Sequence, residues 1–339
     1  MTPSKKQHTN IIAEIGNTHE GSVGLAKQFI KSAAECGVDT VKFQTHIFEA
    51  ESLPNAPNPP YFTGESRKEY FERTAFNLGQ YKQLKEFAEK ECHVRFISSP
   101  FSIEAVDLLE DLGIQEYKIP SGEVTNLPLL KRILRTNKPV LLSSGMSSWD
   151  ELDRAVETLK LNGSSDLTIL QCTSEYPCPP ENAGLNILSE MKKRFNLPIG
   201  YSDHTLGTAI PVAAVVLGAT VIEKHFTLSK RMYGSDAMNA TEPHEFKKLV
   251  KAIRDIETSL HSTVNKDQKA SELTIMKQTF EKSIVSASNL PKGHNIQDSD
   301  LAFKKPGSGI PAYSYQSLIG KVINKNIPQN HMFQLSDFT

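Results

Sequence analysis

Two histidines, two lysines and a set of serines stand at the ends of short apolar runs in this sequence, and their types divide into two kinds of chemistry. Lys42 and Lys118, with Ser99, Ser121, Ser143, Ser144 and Ser202, supply cations and short hydroxyl donors. Such groups suit a phosphate or a carboxylate, whose oxygens accept charge-assisted hydrogen bonds. His204 and His225 close two successive runs and can share one ion. Two imidazoles with water and open positions suit Mn²⁺, Fe²⁺, Co²⁺ or Zn²⁺, acting as a Lewis acid on a carbonyl. Two histidines hydrogen-bonded at a rim would give the same pattern with no metal. Glu14, Gln44, Ser98, Glu123, Thr173, Ser174, Asp203 and Glu223 complete the polar set. Singly, each has an ordinary explanation, since a strand-end Ser is usually a helix cap and a Lys is usually solvated. Together they are harder to explain, because buried polar groups at every strand end are costly without a ligand.

These groups need elements to hold them. From about residue 10 to 260, β-branched apolar runs occur at 10–16, 39–45, 94–99, 115–121, 139–144, 166–173, 197–203 and 219–227. Between them lie segments with apolar residues at i, i+3 and i+4, such as VGLAKQFIKSAAECG, LGQYKQLKEFAEKE and SWDELDRAVETLKLNG. EPHEFKKLVKAIRDIETSL follows the eighth run as a final amphipathic helix. Eight such repeats predict a TIM (β/α)8 barrel, typically about 250 residues, with these polar side chains on its catalytic face. A doubly wound sheet is disfavoured, because IAEIGNTHEG lacks the G-x-G-x-x-G fingerprint after the first strand. One connection, residues 46–78, is long and rich in Pro, Asn and aromatics. On that face it reads equally as a lid or substrate-binding excursion and as a decorated surface loop.

Beyond about residue 261 the repeat stops, and short β-like runs are broken by Pro-Lys-Gly, Pro-Gly-Ser-Gly and Pro-Gln-Asn turns. The expected division is a catalytic barrel over 1–262, a linker over 263–279 and a small, mostly β domain over 280–339. A domain of that size is marginal alone and should pack on something.

The 38 basic and 39 acidic residues leave a formal charge of -1, which gives no electrostatic reason to expect nucleic acid or a membrane as partner. Any cations that hold an anionic substrate must be local. MTPSKKQHTN lacks an apolar region of the secretory kind, and no run approaches the roughly 20 residues of a membrane span. Cys36, Cys92, Cys172 and Cys178 have no metal or redox spacing and read as reduced thiols, so a cytoplasmic protein is expected.

The segments EIGNTHEG, VKFQTH, FISSPFS, YKIPSGE, LLSSGM, CTSEYP, GYSDHTLG and EKHFT run in order and in register with the N-acetylneuraminate (sialic acid) synthase family. The segment with KKPGSGI resembles that family's antifreeze-like (SAF) domain, so the resemblance spans about residues 10 to 338. It implies condensation of phosphoenolpyruvate with an open-chain N-acetylated hexosamine, such as N-acetylmannosamine, to give a nine-carbon 3-deoxy-ulosonic acid and phosphate. It implies His204 and His225 as ligands of a divalent metal, Mn²⁺ first and Mg²⁺ or Co²⁺ as alternatives. Lys42, Lys118, Ser121, Ser143 and Ser202 match the phosphoenolpyruvate-holding positions, with Ser99 where a Thr is common and Ser144 beside them. Glu14 matches a glutamate that acts on water; Glu123 and Glu223 stand near the reacting groups. Gln44, Tyr176 and Asp236 match the sugar side, as does Ser174, where some members carry Asn. The family is typically a domain-swapped homodimer.

Departures gather on the sugar side. The family's K-R-P-G-x-G motif offers an arginine toward the N-acyl group, whereas this chain reads Lys304-Lys305-Pro306-Gly307-Ser308-Gly309. Lys305 lacks the planar fork of that arginine. Where many members read G-P-D-H-K-A-S-L-E-P, residues 234–243 read GSDAMNATEP. The acceptor is therefore open: a 2,4-diacetamido-trideoxyhexose, as in legionaminic-type synthesis, or a sugar with a changed N-acyl group competes with N-acetylmannosamine. A Schiff-base aldolase using Lys118 or Lys42, and an inert barrel carrying an antifreeze-like binding module, are the readings from other classes.

Overall fold

The computed structural model describes residues 8–58, 62, 64–160 and 166–339. It divides into two compact units, Met1–His261 and Ser262–Thr339.

The first unit is a closed barrel of eight parallel strands. They are β1 (Asn10–Gly16), β2 (Thr40–Thr45), β3 (Arg95–Pro100), β4 (Tyr117–Ile119), β5 (Val140–Ser143), β6 (Leu167–Cys172), β7 (Ile199–Asp203) and β8 (Val221–His225), with β8 pairing back onto β1. Both faces of these strands are covered, which is why Ile11, Ile12, Ala13 and Ile15 are all fully buried in succession. Register sets the site. Glu14 lies beside Lys42 on one side and His225 on the other, Gln44 beside Ser99, and Ser202 beside both Cys172 and Glu223.

Helices start where the chain offers short polar caps. Ser22 accepts from the Leu25 amide to open Val23–Glu35, and Ser102 accepts from the Ala105 amide to open Ile103–Leu112. The latter helix ends on left-handed Gly113. β4 is shorter than the run 115–121, because Pro120 has no amide to continue the ladder and Ser121–Glu123 turns as a 3-10 helix.

The long connection after β2 is ordered at both ends. It carries the short helix Phe48–Glu51 and the helix Arg67–Thr74, opened by a Ser66–Glu69 capping box, before Leu78–Glu86 takes the barrel-helix position. Residues 59–61 and 63 of its proline-rich stretch lie outside the described residues, as do 161–165 at the end of SWDELDRAVETLKLNG.

In the second unit, helices Lys266–Glu272 and Thr274–Phe280 precede β9 (Ser283–Ser286) and β10 (Leu301–Lys304), which pair antiparallel. Most other pairing is by isolated bridges, such as Val285 with Met332 and Leu290 with Ile327. A compact apolar core that includes Ile284, Ile296, Leu318, Ile323 and Phe333 holds the loops.

Candidate active site

At the strand C-terminal ends lies a cavity of about 460 Å³. Its floor is ionic. Lys42 Nζ lies 2.8 Å from Glu14 Oε2, 3.1 Å from Ser99 Oγ and 3.8 Å from Glu223 Oε1, and Lys118 Nζ donates to Glu223 Oε1 at 3.2 Å. All four charged side chains are nearly sealed from solvent. Burial disfavours charge on Lys42, but the Glu14 and Glu223 carboxylates prevail and hold its ammonium above the ordinary lysine value. Lys118 has fewer carboxylates and is pulled below it by burial. Burial alone would raise Glu223; Lys118 and Lys42 instead bring it down to about 2.

One hydroxyl on this floor is unspent and two others are engaged only within the site. Ser143 Oγ is buried with no hydrogen-bond partner among the described residues. Ser202 Oγ donates to Glu223 Oε1 at 3.1 Å, and Ser121 Oγ accepts from the Gly145 amide at 3.0 Å. Gly145 is needed there, since a Cβ would fall 2.3 Å from Ser174 Oγ and 2.6 Å from Ser121 Oγ. Two ammonium groups with hydroxyls around them can receive an anion with two acidic ends.

His204 and His225 face each other with ring centroids 5.5 Å apart. His204 Nδ1 sits 2.7 Å from the Thr173 carbonyl, which can only accept; the proton is thus on Nδ1 and the lone pair on Nε2, near Tyr176 Oη at 3.2 Å. His225 Nδ1 is buried without a hydrogen-bond partner among the described residues, with Asp236 Oδ2 3.8 Å away. Burial lowers the basicity of His225 despite Asp236 and Glu14. Among the described residues no group of three His, Cys, Asp or Glu side chains is placed to hold a metal ion. The donor set fits a cation bound by two imidazoles, with its remaining positions taken by water or substrate oxygens. Behind the pair, Lys224 Nζ on β8 donates to Asp203 Oδ2 at 2.5 Å and to the Thr205 carbonyl at 2.6 Å, tying the two histidine-bearing strand ends together.

The outer wall comes from the excursion after β2. His46 is sandwiched between Phe71, at 3.8 Å, and Phe101, at 4.1 Å. Its ring nitrogens meet Glu51 Oε1 at 2.8 Å and Gln44 Oε1 at 3.0 Å. Gln44 in turn donates to Glu14 Oε1 at 2.7 Å. Asn58, Phe62, Arg67 and Tyr70 also line the cavity, so this excursion is part of the site.

Glu14, Lys42, Gln44, Lys118, Ser121, Ser143, Ser174, Tyr176, Ser202, His204, Glu223, His225 and Asp236 all line this one cavity. Ser99 sits behind Lys42 as its hydrogen-bond partner. Ser144 points the other way and bonds the Leu170 carbonyl at 3.1 Å. Glu123 is not in the lining; it accepts from Asn126 Nδ2 at 2.7 Å, and burial raises its pKa. Lys305 belongs to the C-terminal unit, its ammonium 5.0 Å from the centre of the Phe280 ring. Reading strand ends overlooked His46, Glu51, Asn58 and Arg67, whose only signal was the length and composition of the excursion.

The NeuB family model matches residues 29–265 of the chain, and the SAF domain model matches residues 281–339. An N,N'-diacetyllegionaminic acid synthase of Campylobacter jejuni is 40% identical over 335 residues, covering 96% of this chain and 99% of that one. An N-acetylneuraminate-9-phosphate synthase of Homo sapiens is 37% identical, over 92% of this chain and 88% of that one. The crystal structure of an N-acetylneuraminic acid (sialic acid) synthetase from Leptospira borgpetersenii superposes with a TM-score of 0.70 at 30% identity, covering 80% of this chain and 92% of that one.

Proposed function

The chain belongs to the NeuB family, and on that premise we propose that it is a nonulosonic acid synthase. It condenses phosphoenolpyruvate with an open-chain N-acylated hexosamine, releasing a 3-deoxy-nonulosonic acid and phosphate. One observation carries this reading: two buried ammonium groups and the unspent Ser143 hydroxyl share a cavity with the His204–His225 pair.

Lys42 and Lys118 hold the phosphate and carboxylate of phosphoenolpyruvate, with Ser121, Ser143 and Ser202 donating to its oxygens. His204 through Nε2 and His225 through Nδ1 are the residues to hold a divalent cation, Mn²⁺ first and Mg²⁺ or Co²⁺ as alternatives. Bound there, it would supply Lewis-acid polarisation of the sugar aldehyde. Carbon 3 of the enol ester bonds to the aldehyde carbon, and the aldehyde oxygen takes a proton to become a hydroxyl. Water adds at carbon 2 and gives a proton to Glu14, which balances the one taken up by the aldehyde oxygen; C–O cleavage then expels phosphate, which takes the carbon-2 hydroxyl proton and leaves the 2-keto acid. Glu14 fits that step because it sits in register between Lys42 and His225, at the junction of the two substrate regions. Gln44, Ser174, Tyr176 and Asp236 contact the sugar. Orientation and fixed charge supply the rate gain.

Two acceptors compete. N-acetylmannosamine is one; a 2,4-diacetamido-trideoxyhexose is the other, favoured by the diacetyllegionaminic relative. We take the enzyme as cytoplasmic and as a homodimer; the exposed Ile275, Met276 and Phe280 of the helix before β9, with Leu273 at its start, support a partner surface. Phosphate release, followed in a coupled assay with phosphoenolpyruvate, Mn²⁺ and a panel of hexoses, tests the function. Release is expected with amino sugars, and none with any of them sinks the reading. Borohydride trapping with pyruvate, together with activity unaffected by EDTA, would instead identify a Schiff-base aldolase.

A further inference from the structure

A run of hydrogen bonds leads from the outer wall of the cavity to the carboxylate of Glu14. At its centre the His46 ring is clamped between Phe71 and Phe101, and the side chains of His46 and Glu51 are nearly sealed from solvent. His46 Nδ1 lies 2.8 Å from Glu51 Oε1, Nε2 lies 3.0 Å from Gln44 Oε1, and Gln44 Nε2 donates to Glu14 Oε1 at 2.7 Å. Turning the ring over would withdraw both nitrogens from their partners, so these contacts settle its orientation.

The protons follow from the inner end of the run. Glu14 Oε2 is 2.8 Å from the Lys42 ammonium, so Glu14 is a carboxylate and only accepts. Gln44 must turn its NH₂ to Glu14 and its carbonyl oxygen to His46. That oxygen also only accepts, so His46 Nε2 carries a proton. A second proton lies between Nδ1 and Glu51, because a bare nitrogen against a carboxylate would oppose two lone pairs. The pair is either imidazolium with carboxylate or imidazole with carboxylic acid, and Nε2 is a donor in both. Glu51 Oε2 is buried with no hydrogen-bond partner among the described residues, so His46 is the group that offsets the burial of this carboxyl. A ring protonated at Nδ1 alone would reverse the Gln44 amide and set its carbonyl against Glu14.

We infer that His46, backed by Glu51, is a positioning residue for the base: it fixes the Gln44 carboxamide, which holds Glu14 at Oε1 while Lys42 holds Oε2. An amide passes no proton without changing tautomer, so the pair acts on Glu14 by position, and Gln44 keeps one N–H and one lone pair for substrate. The inference rests on the proposed synthase activity, in which Glu14 takes a proton from water. Two measurements on the full chain test it. Nitrogen NMR of ¹⁵N-histidine-labelled protein, near neutral pH and without ligand, should show a protonated Nε2 at His46, assigned by its loss in His46→Phe or His46→Gln. His46→Phe keeps an aromatic ring in the clamp but removes the donor. With phosphoenolpyruvate, Mn²⁺ and the best acceptor of the hexose panel, it should lower kcat about tenfold, the worth of one hydrogen bond to a charged group. KM for phosphoenolpyruvate should be nearly unchanged. Because the effect passes through Gln44, His46→Phe should cost nothing further in a Gln44→Ala background. Glu51→Gln, whose amide can donate to Nδ1 and leave the proton on Nε2, should keep most of the activity that His46→Phe loses. An unprotonated Nε2, Glu51→Gln as impaired as His46→Phe, or a full His46→Phe cost in the Gln44→Ala background overturns the inference and leaves the synthase reading intact. The resonance is read on the parent protein, so it decides even where His46→Phe does not fold. No phosphate release by the parent with any sugar removes the synthase reading and this inference together.

Discussion

Ser143 shows how a single buried hydroxyl can be costly to the empty protein and useful to the loaded one. Its Oγ has no partner among the described residues, and such a group costs about 1–3 kcal/mol when buried. Ser143→Ala should therefore melt at the same temperature as the parent or higher without ligand. If the hydroxyl donates to phosphoenolpyruvate, the same change should weaken binding about tenfold, or about 1.4 kcal/mol. Thermal unfolding with and without phosphoenolpyruvate reads both signs, and a variant that loses stability without ligand contradicts the assignment. The neighbouring residue explains what residue types alone could not decide. Ser143 and Ser144 look equivalent in LLSSGM, yet successive strand side chains face opposite ways, so one lines the cavity while the other bonds Leu170. Lys42, Lys118, His204 and His225 were legible because each ends or lies within a strongly apolar run. Arg67 and Glu51 were not, because nothing local marks a loop cation or carboxylate as facing inward.

At the scale of elements, the barrel strands were readable to within two or so residues, with β4 cut short by Pro120. The C-terminal unit holds a pattern that a search for turns passed over. His294, Gln297 and Asp300 recur as His331, Gln334 and Asp337, each triplet 37 residues after its counterpart (331 less 294). In both copies the Asp accepts from the Gln amide and meets the His ring, at 2.7 Å to His294 and 2.8 Å to His331. Residues 289–300 and 326–337 are identical at Asn, Pro, His, Gln, Ser and Asp, six of twelve positions, so the repeat is legible in the sequence once the segment is compared with itself, and the hydrogen bonds say what it is for. Asp337 also pairs with Lys325 Nζ at 2.5 Å. Burial works against its charge, but Lys325, the Gln334 amide and His331 hold its pKa below the ordinary carboxylate value. The sign follows from the depressed folded pKa. The stabilisation is fully present above the unfolded value, near 3.9, and is lost as pH falls through the folded one. Asp337→Asn should weaken this unit at neutral pH and flatten its acid loss. Asp300→Asn should do the same to a smaller extent, since Asp300 meets His294 and the Gln297 amide but no lysine among the described residues. Hydrogen exchange of peptides from 281–339 across pH 2 to 7 measures it, and an unchanged acid limb in Asp337→Asn refutes the assignment.

For the whole molecule, the formal charge of -1 means that no long-range field gathers an anionic substrate, so the work of binding falls on a few buried charges. Those charges nearly cancel before any substrate arrives: Lys42 and Lys118 stand against Glu14 and Glu223. Adding phosphoenolpyruvate to that floor brings an excess of negative charge into a poorly solvated cavity. A divalent cation at the proposed histidine site would offset it, and Glu14, in register with both Lys42 and His225, places the two sites within electrostatic reach. The two ligands should therefore bind with positive coupling, and the coupling must be reciprocal. Phosphoenolpyruvate should lower the Kd for Mn²⁺ by the same factor by which Mn²⁺ lowers the Kd for phosphoenolpyruvate, a factor on the order of 10 to 100. Because the interaction is buried and short-ranged, raising ionic strength should change it little, unlike steering from a charged surface. Calorimetric titration of each ligand with and without the other closes the cycle. His204→Ala and His225→Ala should abolish the coupling while leaving phosphoenolpyruvate bound at its metal-free affinity. Equal phosphoenolpyruvate affinity with and without Mn²⁺ in the parent protein would separate the two sites and place any cation elsewhere.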